Sequence, residues 1–481
     1  MTRRNFVLAA AAATWNWDRR GARFGLAGGS GEIRFISPSS FFAIRRWADS
    51  SLGPNLPENA VNFTASEAGD AVELVTDYIR VRVDKSTFRL RVSKVNGEVL
   101  MEEAAPPKRA GEDIVLDFQL RPGEECFGLG PRADASIGTR GSRIVTRTPL
   151  LLSTAGYGMF QLGSGEYEYD LTAGHRVVAR KADRAGYAFY YGPNPKDIFE
   201  EHAKVRPSSN LRRAGTALPE TPGEASWDSL QETVRRMIHG SLSGIMLPRF
   251  DADRYAGTPA AARARQLAGL FPWGGETRFE AFFEAYLDEA RERGIPLVHA
   301  LPAQFPKDPE GLRRSDQFLL GDELLAAPVL NPAGRRAVYL PMGRWTDLRT
   351  NIEHPGRRVI EVESPDSLPL FAKNGSIVPF GRLSQGTVEL HYFPNSGGEF
   401  FLFEPTTGTI SQVHAAPAGD YFRVEIESHV TRKYEWVIHH RGPAKRVDGP
   451  ASAVRHDARR NNLHIEMDGP AGEGRIVNVT L

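Results

Sequence analysis

Cysteine is almost missing from this sequence. Cys126 is the single one in 481 residues, so no intrachain disulfide can brace the fold. Its expected role is that of a small buried apolar residue. A surplus of either charge is missing too: 60 Lys and Arg face 59 Asp and Glu, which gives no support to a nucleic-acid partner or a membrane surface. No apolar run approaches the ~20 residues that span a bilayer. The short signatures of other chemistries are also absent. There is no Gly-x-Ser-x-Gly elbow, no His-Glu-x-x-His and no phosphate loop, and the glycines do not follow a dinucleotide fingerprint. His439 and His440 have no cysteine near them, which argues against a metal site there. Nothing in the sequence calls for a metal or an organic cofactor.

Apolar residues make up 41% and aromatics 10% of the chain, ample for packed cores, and 47 Gly with 33 Pro suit many short strands and turns. The length points to about two to four domains. The opening "MTRRNFVLAAAAATW" places Arg3 and Arg4 before a short Ala-rich apolar segment, with Phe6 close behind. That is the outline of an export signal of the twin-arginine kind, and implies a periplasmic or extracellular protein.

From residue 31 to about 205 the pattern has period two. "VELVTDYIRVRVDKSTFRLRVSKVNGEVL" (72–100) alternates apolar and polar positions, with turns at Lys85–Ser86 and Asn96–Gly97. These are antiparallel strands of a β-sandwich. One helix is expected over 194–205. The texture then changes. "SWDSLQETVRRMIHGSLSGI" (226–245) places Leu230, Val234, Met237 and Ile238 at helical spacing, with Ser229 and Glu232 in a capping-box pattern. In 276–293, Phe279, Phe282, Phe283, Tyr286, Leu287 and Ala290 share one helix face, and Gly294 ends it before the buried strand "IPLVHAL". Helix–strand alternation of this kind suits a (β/α) barrel. After about 314 short strands return, and a last β module begins near 386. The chain therefore divides into an export signal (1–22), an N-terminal β-sandwich (23–205), an α/β segment (206–314), a proximal C-terminal β domain (315–385) and a distal one (386–481).

Several runs resemble glycoside hydrolase family 31, the α-glucosidase and α-xylosidase family. "CFGLGPRAD" (126–134) is similar to its Phe-x-Gly-Leu-Gly-Glu-Arg segment, and "TPLLLSTAGYGMF" (148–160) to the run into Gly-Tyr-Gly-x-Phe. "GIPLVHALPAQFPKDP" (294–309) resembles Gly-x-Pro-x-x-Arg-Pro-Leu-x-x-x-x-Pro-x-Asp. "DQFLLGDELLAAPVLNPAGRRAVYLPMGRWTD" (316–347) is the strongest run, and "LPLFAKNGSIVPF" (368–380) follows in order. The resemblance implies a galactose-mutarotase-like N-terminal sandwich, a (β/α) barrel and two C-terminal β-sandwich modules. It also implies hydrolysis of O-glycosyl bonds in α-glucosides or α-xylosides, with α-linked glycans as partners.

Such retaining enzymes place two carboxyl groups about 5 Å apart around the scissile bond. The family's nucleophile lies in a Trp-x-Asp-Met-Asn-Glu type motif, and no such run occurs here. A complete barrel needs ~250 residues, and 206–314 supplies about 110. The expectation is an incomplete barrel remnant and a catalytically impaired protein. Glu224 is the nearest carboxyl to the family's acid/base position. Asp251, in "SGIMLPRFDADRY" (243–255), resembles the aspartate that lines the sugar subsite, with Asp253–Arg254 where the family has Gly-Gly. His299 stands where the family often has Arg-Pro and is a candidate substrate contact, with a hydrogen-bonded strand histidine as the alternative. Trp273, Trp345 and Tyr157 are aromatic candidates for a sugar contact, whose alternative is core packing. A non-catalytic carbohydrate-binding or partner-binding relative is the other reading, and a homo-oligomer or partner chain would cover the barrel remnant.

Overall fold

A computed structural model describes residues 14–50, 59–163, 165–206, 215–275 and 277–481. Arg3, Arg4 and Phe6 of the export call lie outside these residues. Trp15–Asp18, inside the segment read as the signal, already pairs as a strand with Gly21–Leu26, which straddles its end. The chain forms two compact units. One holds residues up to Gly130 together with Thr139–Val205, the other Pro131–Gly138 together with Arg206–Leu481.

The first unit is a sandwich of an 8-stranded and a 9-stranded sheet. The alternation read over 72–100 becomes the meander Ala71–Val75, Ile79–Asp84, Leu90–Lys94. Its inward residues Val72, Leu74, Val81, Val83 and Val92 are all buried, because successive side chains of a strand point to opposite faces. The other sheet contributes Phe35, Phe41, Met159 and Phe189 to the same core. Phe189 stacks on Phe41 and Tyr157 at 5.2 and 5.7 Å. Cys126 lies in this core, where burial and the carboxylates of Glu124 and Glu125 push its thiol well above the ordinary range. Tyr157 is core as well, its hydroxyl donating to Glu124 Oε1 at 2.8 Å. Helix α1 (Pro195–Val205) closes the unit. A side chain at Gly158 would meet Ile198 Cγ2 at 2.4 Å, so the strand must be bare where the helix lies on it.

The second unit opens on helices. Helix α2 (Trp227–Ser241) starts one turn earlier than Ser229–Glu232 would place it. Ser226 is the N-cap, and its box is closed by Ser229: each serine's side chain bonds the other's backbone N–H, at 3.2 and 2.8 Å. A serine at the third helical position is short enough to reach back, so the glutamate is not needed. Helix α3 spans Ala261–Ala268 and helix α4 Glu280–Arg293, ended by Gly294 at φ 69°. The aromatic face of α4 is as read, but it packs on the C-terminal β material. Phe279 meets Phe380 at 5.1 Å, and Phe282 stacks on Phe400 at 5.8 Å. Ala281 N donates to Gly381 O, and Gly381 N to Arg278 O, at 3.1 and 2.6 Å.

Three sheet groups follow. A 6-stranded sheet runs Val298–Ala300, Phe318–Leu320, Leu324–Ala326, Leu370–Lys373, Arg344–Asp347, Glu353–Pro355. The hairpin-like pair Arg335–Leu340 and Arg358–Glu363 shares its core of Leu319, Val338, Trp345 and Phe371. Trp345 is fully buried, with its indole N–H donating to Pro341 O at 2.9 Å. Two 5-stranded sheets form the distal module, the first beginning at Ile377–Phe380. The sheets thus do not part at 314 or 385: Val298–Ala300 belongs with the proximal strands, and Ile377–Phe380 with the distal ones.

Candidate functional site

In the α/β segment of the second unit two strands run parallel. Thr216–Ala217 pairs with Pro248–Arg249, and Thr216 N and Leu218 N donate to Leu247 O and Arg249 O at 2.7 and 2.8 Å. Glu224 and Asp251 follow the C-terminal ends of these two strands, the end where barrel enzymes carry their chemistry. Both carboxylates are exposed. Arg254 joins their loops: its Nη2 donates to Gly223 O at 2.6 Å. Asp251 Oδ1 accepts from Asp253 N at 3.0 Å and opens the single turn Asp253–Tyr255. That turn is pinned to α2 through Tyr255 and Thr233, whose hydroxyls are 3.0 Å apart. The Asp253–Arg254 pair therefore supplies a helical turn and a cross-loop tie, where two glycines would leave backbone free to approach a ligand.

Trp273 stands beside the same strands. Its ring lies flat on Phe271 at 5.2 Å and edge-on to Phe250 at 5.3 Å. Its indole Nε1 is buried without a hydrogen-bond partner. Gly215 must be bare to admit it, since a Cβ there would lie 3.2 Å from Trp273 Cδ1 and 2.8 Å from Leu247 O. His299 is elsewhere. It is 2% exposed, on the strand Val298–Ala300, with Nδ1 3.2 Å from Asp322 Oδ1. That separation fits an ion pair, yet neither ring nitrogen has hydrogen-bond geometry to any group. The structure brings Glu224, Asp251 and Trp273 to one pair of strands and places His299, Tyr157 and Trp345 in packed interiors.

The strand Val298–Ala300 is the outermost of its 6-stranded sheet and pairs antiparallel with Phe318–Leu320, Val298 opposite Leu320 and Ala300 opposite Phe318. Just before it, Leu297 N donates to Met246 O at 2.9 Å.

Local pattern gave no notice of the polar contacts that brace this unit. Arg132 Nη2 donates to His239 Nδ1 at 3.1 Å, while His239 Nε2–H donates to Asp134 O at 3.2 Å. This tautomer is neutral, and burial with the Arg132 charge lowers the ring's pKa to about 4. In the distal module Glu389, His391, His439 and Asn351 form a row of contacts of 3.0, 2.9 and 2.7 Å. Burial, followed by the charges of neighbouring histidines and Arg460, holds His439 well below the usual imidazole range. Apart from Glu389 and His391, these partners lie far apart in sequence, so only arginine and histidine content hints at them.

Residues 25–145 match the glycosyl hydrolase 31 N-terminal galactose mutarotase-like domain, and residues 294–378 match the glycosyl hydrolase family 31 C-terminal domain. The chain belongs to glycoside hydrolase family 31. It is 26% identical over 207 residues to an isomaltosyltransferase of Sporosarcina globispora, covering 34% of this chain and 19% of that one. It is 27% identical over 180 residues to alpha-glucosidase 2 of Bacillus thermoamyloliquefaciens, covering 32% and 22%. The chain thus spans about a fifth of the length of these relatives. Among solved structures, the GH31 dextranase of Flavobacterium johnsoniae complexed with isomaltotriose superposes with a TM-score of 0.79 at 14% identity, over 98% of this chain and 99% of that one. The alpha-1,4-glucan lyase of Gracilariopsis lemaneiformis superposes with a TM-score of 0.79 at 9% identity, over 98% and 97%. The C-terminal family match begins at 294, just before the strand that the 6-stranded sheet takes up.

Proposed function

We propose that this protein descends from hydrolases of O-glycosyl bonds in α-glucosides or α-xylosides and has lost efficient turnover. The observation that carries the reading is the scarcity of parallel pairing in the α/β segment. A closed ring takes eight parallel strands. Among the described residues Thr216–Ala217 with Pro248–Arg249 is the parallel pair of that segment, and Val298–Ala300 pairs antiparallel with Phe318–Leu320. Double displacement needs a nucleophile carboxylate facing a proton donor at about 5 Å. Glu224 and Asp251 are both solvent-exposed, on loops tied by Arg254, and no third carboxylate follows a neighbouring parallel strand among the described residues.

A binding role is the second reading, favoured by Trp273. Trp273 is half-buried with one face on Phe271; its other face would offer a pyranose ring stacking, and the exposed Glu224 and Asp251 would offer hydroxyl acceptors. The Flavobacterium dextranase was solved with isomaltotriose and with glucose, so α-linked glucans are the ligands to try first. The twin-arginine-like start supports export, and the unpaired outer edge of Thr216–Ala217 among the described residues leaves room for a second chain.

The deciding experiment is an assay of the full chain on chromogenic α-glucoside and α-xyloside, with a calorimetric titration of isomaltotriose. The expected result is saturable glucan binding without turnover. Turnover that disappears in Asp251→Asn or Glu224→Gln would overturn the loss of chemistry, and absence of glucan binding would remove the second reading.

A further inference from the structure

Between helix α4 and the strand Gly398–Glu404 lies a cleft of about 390 Å³, within the ~300–1,000 Å³ of small-ligand sites. Its wall is apolar and open. Phe401 and Ile410 line it and are 46% and 43% exposed, although both lie in well-paired strands. Glu399 and Phe401 are two residues apart, so both leave the same face of their strand. Asp288 and Glu292, one turn apart on α4, stand on the other bank.

The polar groups of this cleft are of one kind. Among the described residues, the carboxylates of Asp288, Glu292 and Glu399 accept no hydrogen bond and form no ion pair. Glu323 is occupied by the Tyr286 hydroxyl, which donates to its Oε2 at 2.5 Å. Arg293, the one cation lining the cleft among the described residues, pairs with Glu289 at 2.6 Å. An ionised carboxylate can only accept. The cleft therefore presents free acceptors beside an apolar wall, and calls for a ligand rich in donors.

We propose that this cleft is a further glycan site, taking a neutral α-glucan segment. The proposal rests on the glucan-binding reading for the class of ligand, and it shares none of the residues around Glu224, Asp251 and Trp273. A pyranose carries an apolar C–H face for Phe401 and Ile410, and hydroxyls that donate to Asp288, Glu292 and Glu399. The charge of those carboxylates turns away uronic acids and phosphates. A small cation would leave the apolar wall wet, and no group of the described residues fits a metal.

The test is a calorimetric titration of the full chain with isomaltotriose, repeated on Phe401→Ala, on Glu292→Ala with Glu399→Ala, and on Trp273→Ala. Phe401, Glu292 and Glu399 are exposed, so their variants keep the fold. The expected result is two sites per chain. Phe401→Ala and the paired glutamate variant each weaken one of them about tenfold, and that one survives Trp273→Ala. Binding indifferent to Phe401→Ala or to the paired variant, or no binding at all, would overturn the proposal. Where Trp273→Ala alone abolishes binding, the reading of the Glu224 strands still stands. Loss in Phe401→Ala alone would uphold the cleft and remove that reading. Competition at the Phe401-sensitive site by oligogalacturonate or by spermine would assign the cleft to charged ligands and overturn the proposal too.

Discussion

The N-terminal sandwich and the segment 215–304 are built from similar residues and end very differently. In the sandwich, 17 strands in two sheets meet over one continuous core. Inner strands have partners on both sides, and the barrel-like segment does not achieve that. Its strands are two or three residues long, and its longest helix face is buried against the distal β module rather than against a ring of strands. Parallel strands need crossover helices and burial on both faces. Val298–Ala300 takes an antiparallel neighbour, Phe318–Leu320. Antiparallel hairpin units are self-contained, whereas a closed barrel depends on every strand.

The sharpest way to test this contrast is to damage each region alike. Phe189→Ala in the sandwich core should cost about 3–5 kcal/mol, read by chemical denaturation. Phe271→Ala, equally buried between Trp273 and Phe318, should cost less, about 2–3 kcal/mol, because fewer packed layers surround it. Equal losses would break the comparison.

Next in size are the pH effects, and they differ between the two units. Burial raises Glu103 to about 8, against the opposing pull of its bonds from Leu90 N and the Tyr187 hydroxyl. The folded sandwich therefore keeps a proton that the unfolded chain releases near 4.5. Stability from this group is full below 4.5 and is lost as pH rises through about 8. His175, buried with neither ring nitrogen bonded, is lowered to about 4. It binds its proton only on unfolding, so stability present above 6.5 is lost as pH falls toward 4. In the second unit His239 gives the same acid limb. Glu103→Gln should flatten the alkaline limb of hydrogen-exchange protection in the sandwich alone. His175→Phe should flatten that unit's acid limb and leave the second unit's untouched.

Smaller still, Arg254→Ala should cost about 1 kcal/mol or less but speed hydrogen exchange over 221–226, since it cuts the tie to Gly223. Smallest of all, Glu224→Gln should stay within about 0.5 kcal/mol of the parent, being an exposed loop carboxylate.

Sequence pattern revealed the sandwich and the helices because those depend on residues two to four apart. Val81 and Val83, or Phe279 and Phe283, announce a face before any partner is known. What covers that face does not follow: nothing near Phe282 points to Phe400, and nothing in "IPLVHAL" says that Val298 will oppose Leu320 in antiparallel register. Of the candidate site, Glu224, Asp251 and Trp273 were recognisable by residue type and resemblance. Arg254, which joins their loops, looked only like a replacement for glycine. His299 stood in a familiar motif, yet the antiparallel partner of its strand decided its surroundings.

The pairing of Val298–Ala300 with Phe318–Leu320 has a practical consequence if turnover is absent as proposed. A donor strand grafted onto that edge would compete with a segment only eighteen residues downstream, which finds it first. Restoration would have to begin by weakening that local hairpin, with a proline at Leu319, before any donor strand is supplied.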